Sequence, residues 1–237
     1  LVPRIKNGIY DGMIFTIRDI TERKQAEEKI SSSLEEKETL LQEIHHRVKN
    51  NMQVINSLLR LQADNIEDNQ IKEILKESQG RVYAMSAVHE TLHGSENLSD
   101  IDLKAYLSKM TTSIFQTYAV NPANVSLKND IEDSPININQ AYPLGLIVNE
   151  LVSNSLKYAF PEESIGEICL SMKKIDKELK IIMMDNGIGM PAGLDWKSSS
   201  TLGLKLVRTL VENQLDGSIE MESKDGTKFT IKFSIET

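Results

Sequence analysis

Three short stretches of this chain carry side chains able to do chemistry. In NELVSNSLKYAF, Glu150 and Asn154 are four residues apart, and Lys157 and Tyr158 follow one turn later. On a helix these residues share a face. That face offers a carboxylate, a carboxamide oxygen and an ammonium. Hard oxygens suit a magnesium ion and the cation suits phosphates, which together serve a nucleoside triphosphate. In DNGIGMP, Asp185 ends an apolar run, and Gly187 and Gly189 let the backbone turn sharply and a flat ligand approach. A buried aspartate there can accept a hydrogen bond from an exocyclic amine. In SSSTLGLKLV, the Ser/Thr run before Leu202 and Gly203 opens a helix, and a helix N-terminus binds phosphate. Taken singly, the three stretches also fit a solvated polar face, a strand-ending turn and simple helix capping.

A fourth stretch, LLQEIHHRVKNNMQVINSLLRLQ, places His45 and His46 side by side on an apolar frame. Neutral imidazole is a good nucleophile, and a pKa near 6.5 keeps it mostly neutral near pH 7. With Leu41, Ile44 and Val48 as the buried seam, His45 flanks the packed surface and His46 points to solvent. Glu43 and Asn50 fall on the His46 face, where Glu43 can accept a ring N–H. Paired histidines in a helical bundle also serve structural roles, and His89 reads as a packed residue of the next helix. His93 lies near a helix end, where a cation is favourable.

These residues need elements to hold them. Residues 8–20 alternate apolar and polar and predict one strand, with Asp19 or Thr21 capping the helix that follows. No Pro or Gly interrupts residues 22–62, a long helix with the seam Leu34, Leu41, Ile44, Val48, Ile55 and Leu58. A second helix carries Ile71, Leu75, Ser78, Val82, Met85, His89 and Leu92, and ends near Gly94. Two helices with one apolar stripe each predict a four-helix bundle made from two chains. Beyond about residue 99 the pattern is mixed α and β. Helices are expected at 103–118, at 139–160 with its regular part after Pro143, and at 201–215. Strands are expected at 124–130, 166–176, 177–187, 217–223 and 227–236, with tight turns at Asp176–Lys177 and KDGT. The boundary falls at about residues 95–101.

Composition narrows the classes. The 237 residues are 40% hydrophobic and 26% charged, as in an ordinary soluble protein. A net charge of −8 gives no general support to nucleic-acid binding. The single cysteine, Cys169, excludes an intrachain disulfide framework and suits a reducing compartment. No apolar run approaches the roughly 18 residues of a membrane helix. No histidine–cysteine–carboxylate set suggests zinc. The chain begins at Leu1 rather than methionine, which predicts a piece of a longer protein.

In chain order, Asn149/Glu150/Asn154, Asp185-x-Gly187-x-Gly189, Gly203-Leu204 and Gly226-Thr227 resemble the N, G1 and G2 boxes and closing glycine–threonine of the GHKL ATPases. Among these they resemble the catalytic domain of histidine kinases. The likeness covers about residues 100–237, and four motifs in the right order make it specific. It implies an α/β sandwich that binds ATP with Mg²⁺ beneath a lid at about residues 191–203. It implies Asn154 as Mg²⁺ ligand, Glu150 as the base-like residue beside the reacting phosphate, and Asn149 and Lys157 near the phosphates. It implies Asp185 on the adenine amine and Thr227 near the adenine. Tyr158, Gly187, Gly189, Leu202, Gly203 and Leu204 complete the implied nucleotide set. The G2 box departs from the family pattern: it reads Thr-Leu-Gly-Leu and lacks its first glycine.

EIHHRVKNNMQVINSLLRLQ is similar to the dimerisation and phosphoacceptor helix of the second-type sensor histidine kinases, related to the HWE kinases. RVYAMSAVHETLH is similar to that module's second helix. GMIFTIRDITERKQAEEKI resembles the last strand of a PAS sensor domain and its exit helix. The expected organisation is an α+β chain with a PAS end at 1–30, a helical hairpin at 31–98 and an ATP-binding domain at 99–237. The resemblance implies a sensor histidine kinase of a two-component system. ATP would phosphorylate His46, and the group would pass to an aspartate in the receiver domain of a response regulator. The HWE pattern has one histidine before Arg-x-x-Asn, which aligns His46. Many kinases have an acidic residue after that histidine, whereas Arg47 stands here. A cytoplasmic homodimer is implied, with no nucleic acid and no membrane contact in this part. Two other readings stay open: a dimeric scaffold that binds nucleotide or regulator without catalysis, and an ATPase whose hydrolysis drives closure.

Overall fold

The computed structural model describes residues 2–6, 9–14, 19–92, 102–118, 124–134, 136–161, 164–191, 196 and 201–235. The chain divides into two compact units, residues 1–44 and 45–237.

In the first unit, β1 (Val2–Lys6) pairs antiparallel with β2 (Ile9–Ile14), Val2 opposite Ile14 and Lys6 opposite Ile9. The sequence predicted only the second of these strands. VPRIK is too short to display an alternation, and its Pro3 argues against a strand except at an edge. Asp19 then ends the connection: its Oδ1 accepts the N–H of Thr21 at 2.9 Å. Hydrogen bonds from the Thr21 hydroxyl and N–H hold the Asp19 carboxyl below its usual range. Helix α1 (Thr21–Asp64) starts there and runs 44 residues, as the absence of Pro and Gly predicts.

Helix α2 (Asn69–Leu92) is started by Asp68, whose Oδ1 accepts from the N–H of Gln70 at 2.7 Å and Ile71 at 3.2 Å. Its expected end at Gly94, the boundary at 95–101, His93 and the His89 side chain lie outside the described residues. The predicted seam on α2 is only partly buried. Leu75, Ser78, Val82 and Met85 are half-buried and Ile71 is exposed. The residues of α2 that enter the core are instead Ala84 and Ala87. Alanine lets the helix approach closely, and the buried Tyr106 hydroxyl donates to the Ala84 carbonyl at 3.2 Å.

The remaining elements are α3 (Leu103–Tyr118), β3 (Val125–Ile131), α4 (Ile138–Tyr158), β4 (Gly166–Ile175), β5 (Glu178–Asp185), α5 (Leu202–Thr209), β6 (Ser218–Ser223) and β7 (Thr227–Ser234). The five strands form one sheet in the order β3-β4-β5-β7-β6, with β3 and β4 parallel and the other neighbours antiparallel. Every second residue faces the core: Ile168, Leu170 and Met172 on β4, Leu179, Ile181 and Met183 on β5, and Phe229, Ile231 and Phe233 on β7. Leu107, Leu144, Ile147, Leu151 and Val207 from the helices meet them in one core. Each such side chain contributes about 1.5–3 kcal/mol by leaving water. The tight turn expected at Asp176–Lys177 is present, with Asp176 at φ 55°.

Two local differences from expectation have simple causes. Helix α4 starts at Ile138, capped by Asn137, and includes Pro143 rather than beginning after it. The proline removes only the N–H that would reach the carbonyl of Asn139, a residue exposed to water. Helix α5 is regular only to Thr209, and its last turn widens into a π turn over Leu210–Gln214.

Candidate functional site

Helix α4 is buried along most of its length, so its few polar residues are held in fixed directions. Glu150 and Asn154 project on one face toward the end of β5 and the start of α5. With the loop after β5 and the first residues of β7, they enclose a cavity of about 370 Å³. That volume lies within the range of about 300–1,000 Å³ found for small-molecule sites.

The predicted residues Glu150, Asn154, Tyr158, Asp185 and Gly189 all line this cavity. So do Leu202, Gly203, Leu204 and Thr227. The four motif stretches, spread over nearly eighty residues of sequence, therefore meet at one place. Gly187 is not on the wall. It packs against the backbone of Ala159 at the end of α4, and the next residue, Ile188, donates to the Ala159 carbonyl at 2.9 Å.

Asp185 is buried where β5 ends. Its Oδ1 accepts the backbone N–H of Gly187 and of Thr227, each at 3.1 Å, and its Oδ2 accepts the Ser155 hydroxyl at 2.6 Å. An ionised carboxylate has about four acceptor positions, so one remains for a ligand N–H from the cavity. Gly226 makes this possible. It has φ +103°, and a Cβ there would lie 1.9 Å from the Asp185 carbonyl.

Glu150 is almost fully buried, and its carboxylate is gripped by a guanidinium. Arg81 of α2 donates from Nε to Oε1 at 2.7 Å and from Nη2 to Oε2 at 3.0 Å. This two-pronged geometry is the strong form of an ion pair. Gly203 is pressed against the same carboxylate, since a Cβ on it would stand 2.6 Å from Oε2. The glycine retained in the G2 box is thus the one that must touch Glu150. Thr201 stands where the pattern has its first glycine and lines the cavity, and Leu202 between the two positions is 65% exposed on the rim.

Two more predicted residues are placed elsewhere. Asn149 does not line the cavity. Its Nδ2 is 3.5 Å from Glu150 Oε1, and it borders a smaller cavity of about 150 Å³ with Asn56, Lys76 and Tyr83. The reason is geometric: the half of α4 that faces the large cavity carries Glu150, Leu151, Asn154, Ser155, Tyr158 and Ala159, and at about 100° per residue Asn149 falls on the other side. Lys157 does not line it either. Its Nζ is bound by Glu77 at 2.7 Å and Glu73 at 2.8 Å, both from α2.

The cavity also holds residues that sequence reasoning did not select: Glu77, Ser155, Met190, Pro191, Thr201 and Phe229 among them. Ser155 carried a usable signal, being five residues after Glu150 on a helix already assigned to the site. Glu73, Glu77 and Arg81 repeat at four-residue spacing, a pattern that marks a charged face but not its partner. Phe229 forms the floor and is met edge-on by Trp196, with centroids 5.8 Å apart at 86°. Thr201 stands at the cap of α5 but its side chain makes no cap hydrogen bond. The lid expected at 191–203 lies mostly outside the described residues.

Among the described residues, no group of three His, Cys, Asp or Glu could hold a metal. Asn154, half-buried on the cavity wall, fits a different arrangement: a magnesium ion carried by phosphates and completed by one protein oxygen. On α1, His46 is exposed and His45 half-buried, but the seam expected to be packed is itself open in the single chain, with Leu41 42% and Ile44 53% exposed. No described helix is long and apolar enough to cross a membrane.

Comparison with known proteins gives these features a context. Residues 43–118 match the family described as Histidine kinase. Residues 139–237 match the family described as Histidine kinase-, DNA gyrase B-, and HSP90-like ATPase. Sensor histidine kinase PdtaS of Mycobacterium tuberculosis is 33% identical over 234 residues, covering 93% of this chain and 43% of that protein. Blue-light-activated histidine kinase 2 of Erythrobacter litoralis is 29% identical over 177 residues, covering 73% of this chain and 50% of that protein. The chain therefore spans half the length or less of these relatives. Among solved structures, the histidine kinase domain of an Erythrobacter litoralis blue-light-activated histidine kinase has the same fold. Its TM-score is 0.63 at 21% identity, covering 77% of this chain and 96% of that one. Acinetobacter baumannii histidine kinase AdeS superposes with TM-score 0.51 at 20% identity, covering 79% and 97%. With a helical segment of the histidine kinase type followed by an ATPase domain of the GHKL type, this chain belongs to the sensor histidine kinases.

Proposed function

We propose that the cavity binds ATP with Mg²⁺ and that its γ-phosphoryl group is transferred to His46, then to an aspartate on the receiver domain of a response regulator. The observation that carries this reading is the meeting of Glu150, Asn154, Asp185, Gly203 and Thr227 around one cavity. Asp185 takes the exocyclic amine on its remaining acceptor position, beside Thr227. The phosphates lie toward Asn154 and the start of α5, whose N–H groups favour negative charge. A bound Mg²⁺ would neutralise charge on the phosphates, with Asn154 as its protein oxygen.

In the transfer, a neutral ring nitrogen of His46 forms a bond to the γ-phosphorus while the bond to the β-bridging oxygen breaks and ADP leaves. The ring proton passes to a carboxylate, and Glu150 is the one at the cavity wall. The chain's contribution is positioning and charge neutralisation rather than covalent chemistry. We further read residues 31–98 as a dimerisation and phosphoacceptor hairpin, 99–237 as the catalytic domain and 1–30 as the end of a PAS sensor domain. The β1–β2 pair leading into a capped helix supports the last of these. The setting is a cytoplasmic homodimer.

Incubation with γ-labelled ATP tests the reading. Label held by the protein, stable to alkali and lost in acid, is expected. Released phosphate alone would point to an ATPase, and neither outcome would point to a scaffold.

A further inference from the structure

The charges that the transfer uses are already paired, and helix α2 supplies the ion-pair partners Glu73, Glu77 and Arg81. Glu73, Glu77 and Arg81 follow one another at four-residue spacing, so one face of α2 presents two carboxylates and then a guanidinium. Glu150 and Lys157 are two turns apart on α4 and face them in complementary order. Lys157 is bound by Glu77 and Glu73, and Glu150 by Arg81. These are not loose surface pairs: the Lys157 side chain is 11% exposed and that of Glu150 is 5%. In this arrangement both carboxylate oxygens of Glu150 accept from Arg81.

We propose that this face of α2 is a charge latch on the nucleotide site, opened by the phosphates of the nucleotide itself. The proposal rests on the cavity being a nucleotide site. Glu77 lines the cavity together with Glu150 and Asn154, so phosphates entering there meet its negative charge. They repel Glu77 and attract Lys157. Exchanging Glu73 and Glu77 for phosphate keeps the lysine paired, and the released carboxylates return to water readily because they are already 45% and 31% exposed. Glu77 also has a second partner within reach, its Oε2 lying 3.6 Å from Arg81 Nη2 one turn away. Once Lys157 has gone to phosphate, Glu77 is free to neutralise Arg81, and Arg81 then releases Glu150. The sequence of pairings runs from Lys157–Glu77 with Arg81–Glu150 to Lys157–phosphate with Arg81–Glu77. The latter leaves the Glu150 carboxylate open to the histidine.

The test is calorimetry on the whole chain with ADP–Mg²⁺ and with adenosine, comparing wild type, Glu73→Gln and the double variant Glu73→Gln/Glu77→Gln. The latch predicts that the double variant binds ADP about tenfold more tightly, as for a site otherwise open about one-tenth of the time. Adenosine affinity should stay unchanged, because the base contacts Asp185 and not the latch. The single variant, at the more exposed position, should show a smaller gain and serves if the double variant does not fold. Equal or weaker ADP binding by the variants, with wild-type binding intact, overturns the latch and leaves the nucleotide reading standing. A gain for adenosine as large as for ADP also overturns it, since general loosening of α2 would do that. If wild type binds neither ligand, the nucleotide reading fails and the latch with it.

Discussion

The Ser155 hydroxyl donates to Asp185 Oδ2 at 2.6 Å, tying the middle of the N-box helix to the end of strand β5. With the N–H groups of Gly187 and Thr227 it holds the carboxylate of a residue that lines the cavity. Ser155→Ala should therefore weaken ATP binding by the worth of one hydrogen bond, about 0.5–1.5 kcal/mol. Asp185→Asn should cost more, about 1.5–3 kcal/mol, since a charged acceptor is lost. Calorimetric titration with ATP checks the order; equal affinities in all three proteins would remove Asp185 from the adenine site.

Asn154→Ala separates binding from transfer. In the proposed reading the carboxamide would supply a metal oxygen, and a bound metal would act mainly on charge that develops in the transition state. Self-labelling with γ-labelled ATP should nearly vanish while nucleotide affinity falls only modestly. Labelling at the wild-type rate would show that Asn154 holds no metal.

Gly226→Ala is a stability experiment. The position has φ +103°, and a Cβ would strike the Asp185 carbonyl at 1.9 Å. Strain of this kind costs about 1–3 kcal/mol before the clash is added. A fall in Tm of roughly 4 °C or more is expected by scanning calorimetry, together with loss of nucleotide binding. An unchanged Tm would mean that the turn is free to rearrange.

Dimerisation can be addressed at the exposed end of the hairpin. Leu58, Leu61 and Ile74 are 55%, 60% and 60% exposed in the single chain, and Leu58, Leu61, Ile71 and Leu75 border one apolar hollow. Such a patch is expected to be covered by a second copy. Light scattering should give a dimeric mass for wild type and a monomeric one for Leu58→Asp/Leu61→Asp. A monomeric wild type at micromolar concentration would refute the bundle.

His46 rather than His45 should carry the phosphoryl group. His46 is exposed and His45 half-buried, and transfer needs a ring nitrogen in line with the phosphorus at about 3–3.5 Å. His46→Gln should abolish acid-labile label without altering ATP affinity, and His45→Gln should reduce it in part. Mass spectrometry of the phosphopeptide at alkaline pH decides; label lost only in His45→Gln reverses the assignment.

Much of the nucleotide site was legible in the sequence because its constraints are local. Glu150 and Asn154 share a helical face by spacing, Asp185 closes an apolar strand, and Gly226 occupies a turn that few residues tolerate. Each signal lies within one element, so the period of that element suffices to place it. Asn149 shows the limit of this. Its motif neighbours face the cavity, but a rotation of about 100° per residue turns it toward a different one.

What only the tertiary structure decided is which charges meet. The sequence determined that α2 carries Glu73, Glu77 and Arg81 on one face, and that α4 carries Glu150 and Lys157 on another. Nothing in either pattern selects the other as partner, since an ion pair across 69 or 80 residues depends on how two helices pack. The α2 side chains that enter the core are Ala84 and Ala87, small residues with no periodic signature of their own, and the Tyr106 hydroxyl ties to the Ala84 carbonyl. Local spacing therefore determined which side chains share a face, and long-range packing decided which of them pair across the two helices.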